Sequence, residues 1–353
     1  MPADPPIVPT SVPGSVLAAF GLDADAPVEP LGAGHIHRTW LAAGDTVIQW
    51  LNGRVFADLD RVMENRERIT AHLVRRRPQW ADRSPIRTTD GALVAVDPST
   101  GRWRAQPFVP GFVPGHDAQL GDLRSAALAF GSFLSAMDDL HPPPVETIAG
   151  FHDLSRRRRA LAEAVGADRV GRLDACTSEV ERARDLEGVM ATVADAAGGL
   201  PARTVHNDAK LANVVLDPDD RTPLAVLDLD TTMPGTVVTD LGELVRSSVS
   251  ATAEDRVHTG RTNAVEPERF ATIVSGYLAG CGDRLTGDER SFSTWAGPLL
   301  SYENAIRYLA DHLDGDRYFA VDHAGHNRER ARAQLSLTED LVEAQADLAA
   351  ALG

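Results

Sequence analysis

An α+β chain in two unequal parts, a small antiparallel β portion followed by a larger and mainly helical one, is what the sequence predicts. Up to about residue 109, short runs of Ile, Val, Thr and Trp are separated by Gly-containing turns, the pattern of hairpin-linked strands. From Leu123 onward, apolar residues recur at spacings of three and four, the period of an amphipathic helix. The length of 353 residues leaves room for two lobes rather than many.

In chain order, residues 1–14 are rich in Pro and read as a flexible arm, 15–109 as the β portion and 110–353 as the helical portion. LGAGHIHRTWLAAGDTVIQWL, Leu31 to Leu51, supplies the first antiparallel strands. A helix follows from Asp58 to Arg77, with Leu59, Val62, Met63, Ile69 and Leu73 on one stripe and Pro78 as its stop. Ala92–Val96 and Trp103–Val109 read as two more strands, ending in PFVPGFVPG, a hinge that begins at Pro107, Phe108 and Val109. Leu123, Ala127, Phe130, Leu134 and Met137 mark the next helix, and Pro142 to Pro144 end it. Further helices are predicted over Thr177–Ala197, Glu266–Leu278, Phe292–Leu313 and Arg328–Leu352, while Arg156 to Arg159 read as a solvated helix face.

Composition narrows the function classes. A formal charge of -16 argues against a nucleic-acid partner, which needs positive surface to displace counterions, so any phosphate ligand must be held locally. No apolar run reaches the roughly 18–20 residues of a membrane span, and the Pro-rich start lacks the parts of a signal peptide. Cys176 and Cys281 are too few for a disulfide framework or a zinc site. A cytoplasmic protein with a small-molecule partner is the expectation. The basic residues are arginines with one exception, Lys210.

The informative stretch is VHNDAKLANVVLDPDDRTPLAVLDLDTTMPG, Val205 to Gly235. Val214–Leu216 and Leu224–Leu227 flank a turn-rich DPDDRTP and predict a hairpin, which brings its outer ends, Asn213 and Asp228, side by side. An amide oxygen beside a carboxylate suits Mg²⁺, a hard ion that takes oxygen ligands and retains waters and phosphates. Asp208, five residues before Asn213, is placed to accept a hydrogen bond from a hydroxyl and orient its oxygen toward phosphorus. His206, Asp208 and Asn213 fit the kinase catalytic-loop form His-x-Asp-x-x-x-x-Asn, and Lys210 stands where an ammonium could neutralise a transferring phosphoryl group. His206 is expected to be architectural, Asp217, Asp219 and Asp220 to be turn residues, and Asp240 to N-cap the next helix. Asp230 is open between a ligand role and a structural bond. Gly32 and Gly34 form a short Gly-x-Gly that serves a hairpin turn or a phosphate loop.

On these residues the chain resembles the aminoglycoside phosphotransferase and choline kinase superfamily, and within it the N-acetylhexosamine 1-kinases. Beside HNDAKLANVV and AVLDLDTTMPG, the likeness extends to GAGHIHRTW, VFADLDRVMENRERITAHL and RYLADHLDGDRYFAVDHAGHNRERARAQL, nearly all of the chain after Val28. It implies the two-lobed protein-kinase-like fold, with a nucleotide-binding N-lobe to residue 109 and a catalytic, substrate-binding C-lobe beyond. It also implies ATP- and Mg²⁺-dependent phosphorylation of the anomeric hydroxyl of an N-acetylhexosamine. Asp208 would match the base, Asn213 and Asp228 the metal ligands, Gly32, Gly34 and His35 the loop over ATP, and Arg307 and Tyr318 the sugar site. Two other readings stay open: a kinase for another small hydroxyl compound (an aminoglycoside, an amino alcohol, glucosamine or homoserine), and a nucleotide-binding regulator without catalysis. The departure from the kinase pattern is Gln49, in TVIQWL, where a phosphate-binding lysine is expected. Arg38 or Arg54 could compensate, and Glu64 is the candidate partner on the first helix.

Overall fold

The computed structural model describes residues 8–32, 37–53, 55–56, 58–115, 117–250 and 265–352. Five strands form one antiparallel sheet: β1 (Val28–Pro30), β2 (Arg38–Ala42), β3 (Thr46–Trp50), β4 (Ala95–Asp97) and β5 (Gly101–Pro107), in the order β1-β2-β3-β5-β4. Ala43 and Gly44, both at positive φ (53° and 82°), turn β2 into β3, which suits the twist of a tight hairpin. One face buries Trp40, Ile48, Trp50 and Trp103 against Val16, Leu17 and Phe20 of a short helix α1 (Gly14–Ala19) and its end. Val12 is buried on the same cluster, so the last residues of the expected arm belong to the core. Helix α2 (Leu59–Arg76) starts at Asp58, whose side chain accepts from the Arg61 amide. Its inward stripe carries Leu59, Val62, Met63, Ile69 and Leu73, and also Arg66, a buried cation on an apolar face.

The second lobe is helical around two small ladders. Helices α3 (Leu120–Met137), α4 (Leu154–Ala167) and α5 (Thr177–Ala197) precede β6 (Arg203–Val205), β7 (Val214–Leu216), β8 (Pro223–Val226) and β9 (Met233–Gly235). Then follow α6 (Val237–Ser248), α7 (Pro267–Cys281), α8 (Gly287–Ser291), α9 (Ser293–Leu313), α10 (His326–Glu343) and α11 (Gln345–Leu352). Helices α3 and α7 cross with their backbones touching: a Cβ on Gly131 would lie 2.1 Å from the Tyr277 carbonyl oxygen, and one on Gly280 2.4 Å from that of Leu128. Helix α9 packs against α4, α5, α6 and α10. Among the described residues no helix is long and apolar enough to cross a membrane.

The solvated helix face expected at Arg156 to Arg159 is part of α4, capped by Asp153 accepting from the Arg156 amide. Two expectations need correction. The single helix expected over 328–352 breaks at Ala344 into α10 and α11. Asp240 does not cap α6: the N-cap is Thr236, and Asp240 lies inside the first turn, fully buried.

Candidate active site

The loop from His206 to Asn213 is held between two antiparallel pairs, β6 with β9 (Val205 opposite Met233) and β7 with β8 (Val214 opposite Val226). Asp240 reaches back to it, accepting from the backbone amides of His206 (3.0 Å) and Asn207 (2.7 Å). Burial raises the Asp240 carboxyl above the usual range, although His206 and these amide bonds work to lower it. His206 is architectural, as expected. Its Nε2 donates to the Leu227 carbonyl at 2.7 Å, its Nδ1 accepts from the Asp208 amide at 3.3 Å, and Phe130 and Phe133 meet the ring edge-on.

The Asp208 side chain is a quarter exposed, with its carboxylate held from two sides. Lys210 Nζ donates to both oxygens, at 3.1 and 2.8 Å, and Asn213 Nδ2 donates to Oδ2 and to the Asp208 carbonyl, both at 2.9 Å. Burial would raise this carboxyl, but the Lys210 charge and hydrogen bond, with His206 and Asn213, outweigh it and hold the group below its ordinary value. Asp208 is therefore an ionised acceptor at neutral pH, fixed in orientation.

The hairpin does what its sequence implies. The Leu227 amide donates to the Asn213 carbonyl at 2.8 Å, so Asp228 follows immediately on the residue paired with Asn213. Asp228 is exposed and at φ 51°, a left-handed turn that swings the chain into the next segment. Among the described residues no hydrogen bond occupies the Asp228 carboxylate or the Asn213 side-chain oxygen. Nor do His, Cys, Asp or Glu gather there in threes. One free carboxylate beside one free amide oxygen is a donor set that fits Mg²⁺, which keeps several waters and phosphate oxygens, and does not fit zinc.

Asp230 resolves to a structural bond between lobes. Its carboxylate, 1% exposed, receives Arg104 Nη1 at 2.6 Å, His37 Nε2 at 3.0 Å and Arg66 Nη1 at 3.4 Å. Those donors come from β5, the residue before β2, and α2, so one C-lobe carboxylate gathers three N-lobe elements. Gln49, opposite Arg104 in the β3–β5 register, accepts from Arg104 Nε (2.9 Å) and donates to Thr39 (3.0 Å). The expected Glu64 partner is exposed, and the α2 side chain turned inward is Arg66, which also bonds Gln106. Arg83 is buried nearby with no hydrogen-bond partner for its Nε. Burial and the neighbouring arginines lower Arg66 to about 10 and Arg83 to about 9, values that leave both charged at pH 7. Three buried arginines thus stand behind Asp228 and Asp230, a local positive surplus in an acidic chain.

Gly32 has φ 71°, a conformation that favours glycine; Gly34, His35 and Arg54 lie outside the described residues. Arg38 is exposed on β2. At the hinge, Pro107 ends β5, the Phe108 amide donates to the Asp45 carbonyl (2.7 Å), and Val109 packs on Val215 and Ala225 of the hairpin. On the other side of the loop, Arg307 of α9 lies over Phe151 (5.7 Å) and Phe319 (5.4 Å) and donates to Asn304 (3.3 Å). Tyr318, 58% exposed, stands edge-on to Phe319. Sequence reasoning missed His152, Arg157, Glu303, Arg66, Arg83 and Arg104. A buried-face position for Arg66 was visible in the α2 stripe; the others have no local signal.

Residues 27–271 match the phosphotransferase enzyme family designated APH, more than half of the chain. The chain belongs to the APH phosphotransferase family. Solved structures share its protein-kinase-like fold. The GDP complex of wild-type aminoglycoside 2'-phosphotransferase-IIIa is similar at 16% identity, over 93% of this chain and 97% of that one, with a TM-score of 0.58. An aminoglycoside phosphotransferase from Alicyclobacillus acidocaldarius subsp. acidocaldarius gives 11% identity, 98% and 97% coverage, and 0.59. Spectinomycin phosphotransferase APH(9)-Ia, in complex with ADP and spectinomycin, gives 14%, 95% and 96%, and 0.57. In this phosphotransferase, as in those structures, a small antiparallel lobe meets a larger helical one.

Proposed function

We propose that this phosphotransferase transfers the γ-phosphoryl group of ATP to the anomeric hydroxyl of an N-acetylhexosamine, GlcNAc or GalNAc, giving the sugar 1-phosphate. The observation that carries the reading is the Asp208 carboxylate, ionised, partly exposed and pinned by Lys210 and Asn213. It accepts a hydrogen bond from the sugar hydroxyl and aims the oxygen at phosphorus; most of the catalysis in such transfers is positioning and charge stabilisation. As the new O–P bond forms and the bond to the β–γ bridging oxygen breaks, the hydroxyl proton passes to Asp208 and ADP leaves. Lys210 offers its ammonium to the phosphoryl oxygens. A magnesium ion held by Asn213 and Asp228 would neutralise β- and γ-phosphate charge.

Two observations support the nucleotide and acceptor assignments. Gln49 cannot supply the charge of a strand lysine, and the surplus of Arg66, Arg83 and Arg104 stands just behind Asp228. On the acceptor side, Arg157, Arg307, Phe151, Phe319 and Tyr318 offer cationic donors and aromatic faces, and the acids among them are already bonded, Glu303 to His152 and Asp311 to the amides of Arg317, Tyr318 and Phe319. That set suits an uncharged polyhydroxy acceptor and repels a polycationic aminoglycoside. The test is a panel of N-acetylglucosamine, N-acetylgalactosamine, glucosamine, homoserine, choline and kanamycin with ATP and Mg²⁺, with the product position read by phosphorus NMR. An anomeric phosphate on the N-acetylated sugars is expected. Phosphorylation of kanamycin or choline in their place overturns the acceptor assignment, and nucleotide binding without any product favours a regulator.

A further inference from the structure

His152 lies just before α4 and touches both the catalytic loop and the acceptor-side helix. Its Nδ1 is 3.2 Å from Glu303 Oε1 of α9, and its Nε2 is 3.0 Å from the carbonyl oxygen of Asn207. Neither partner has a proton to give: a backbone carbonyl only accepts, and an ionised carboxylate only accepts. A neutral imidazole carries one N–H and could satisfy one of them, leaving the other facing a lone pair in a buried site, with side chains only 8% and 2% exposed. Both contacts together need the doubly protonated ring. The alternative, a proton on Glu303, is opposed by its surroundings: burial raises that carboxyl, but His152, Arg307 and Arg157 outweigh it and hold it below the ordinary value.

The other end of the contact is the residue before the base. Asn207 adopts φ 64°, a left-handed conformation uncommon outside glycine, and every polar group it has is tied down. Its amide donates to Asp240, its side-chain nitrogen donates to the carbonyls of Thr231 and Met233, and its side-chain oxygen accepts from Thr239. The carbonyl, which heads the peptide plane leading to Asp208, is held by His152. We infer that His152, as an imidazolium, is a positioning residue for the phosphoryl transfer: it clamps the Asn207–Asp208 peptide to Glu303 and so sets the base against the acceptor bound along α9. This rests on the reading of Asp208 as the base.

The charged groups facing the ring come from three helices: Glu303 and Arg307 on α9, Arg157 on α4, and Asp240 and Glu243, the latter bonded to Arg246, on α6. Burial disfavours the imidazolium, but Glu303 by charge and hydrogen bond, then Glu243 and the Asn207 carbonyl, outweigh it and raise the group above its ordinary value. The sign follows. A group raised on folding exerts its hold at low pH and loses it as pH climbs through the raised value. The clamp is therefore set below the raised value and released as pH climbs past it.

The test uses the full chain labelled with ¹⁵N in histidine, and follows the ring nitrogens of His152, assigned by their loss in His152→Gln. In parallel, ADP release is measured against pH with N-acetylglucosamine as acceptor, or with water where the sugar is not taken. We expect two protonated ring nitrogens at pH 7, and an alkaline fall in kcat with the same midpoint as the NMR titration. Glu303→Gln offers Nδ1 a donor and needs no charge, so its alkaline limb should vanish whatever its plateau rate. His152→Gln should lower kcat about tenfold or more, without that limb and with KM for ATP unchanged. A neutral ring at pH 7, or an alkaline limb that survives in His152→Gln, overturns the inference. Unchanged ADP release in Asp208→Asn would instead sink the base assignment, and the ring titration would still stand.

Discussion

Asp230→Asn is the substitution whose cost the structure defines most sharply. The shape is kept, but the one carboxylate that, among the described residues, bonds both Arg66 and Arg104 becomes neutral, and each guanidinium is 1% exposed. Breaking a buried ion pair from one side costs about 3–5 kcal/mol, because the remaining charge keeps its desolvation penalty and loses its partner. Against a total stability of about 5–15 kcal/mol, this is a large fraction. The assay is urea unfolding followed by fluorescence and far-UV CD. At an unchanged m-value the midpoint should fall by the equivalent of at least about 3 kcal/mol, and the melting temperature by about 4 °C or more. The acid limb adds a second signature. Burial alone would raise the Asp230 carboxyl, but Arg104, His37 and Arg66 hold it well below its ordinary value. A depressed acid contributes stability above its unfolded value, about 3.9, and loses it as pH falls toward the folded one. The stability lost by the wild type below about pH 4 should therefore shrink in the variant. A midpoint within about 0.5 kcal/mol of wild type at pH 7, the range of an ordinary surface change, would refute the inter-lobe role of this carboxylate.

Two further substitutions test separate parts of the account. Gly131→Ala should destabilise by about 1–3 kcal/mol in the same urea assay. The new methyl meets the Tyr277 backbone oxygen at 2.1 Å, and helix propensity returns only about 1 kcal/mol; a stabilised variant would show that α3 and α7 are not in backbone contact. Lys210→Met should cut kcat by about 10²–10³ and move the acid limb of kcat/KM to higher pH, since the ammonium both neutralises phosphoryl charge and lowers the Asp208 carboxyl. An acid limb that stays in place in this variant would detach Lys210 from Asp208.

How much of this was legible in the sequence depends on how far apart the interacting residues lie. The Asn213–Asp228 neighbourhood follows from a local hairpin, and Val214 does pair with Val226 as the turn-rich insert implies. Helix α2 was readable within a residue at each end because its apolar stripe and Asp58 cap are local signals. Helix α4 was legible as a solvated basic face but not in its bounds, because its inward face is thin: Leu154 and Ala164 are its buried residues, and a run of arginines covers the rest. Its Asp153 cap was the available clue. Asp240 looked like a cap because it sits near a helix start, yet its partners are amides 33 and 34 residues upstream. The Asp230 cluster joins residues 126 to 193 positions apart, and His152 meets Glu303 across 151. Pairing at that range is set by the packing of lobes and leaves no trace in a window of residues.

The central claim is that Asp208 aligns the acceptor oxygen while Asn213 and Asp228 share a divalent ion. Asp208→Asn keeps the side-chain shape and removes the accepting charge, so its turnover, measured as sugar phosphate and ADP with saturating ATP and Mg²⁺, tests that claim most directly. The account requires turnover to fall by about 10²–10⁴ with the melting curve and nucleotide affinity of the wild type. A variant that folds, binds ATP and still phosphorylates within a few-fold of the wild-type rate would contradict it.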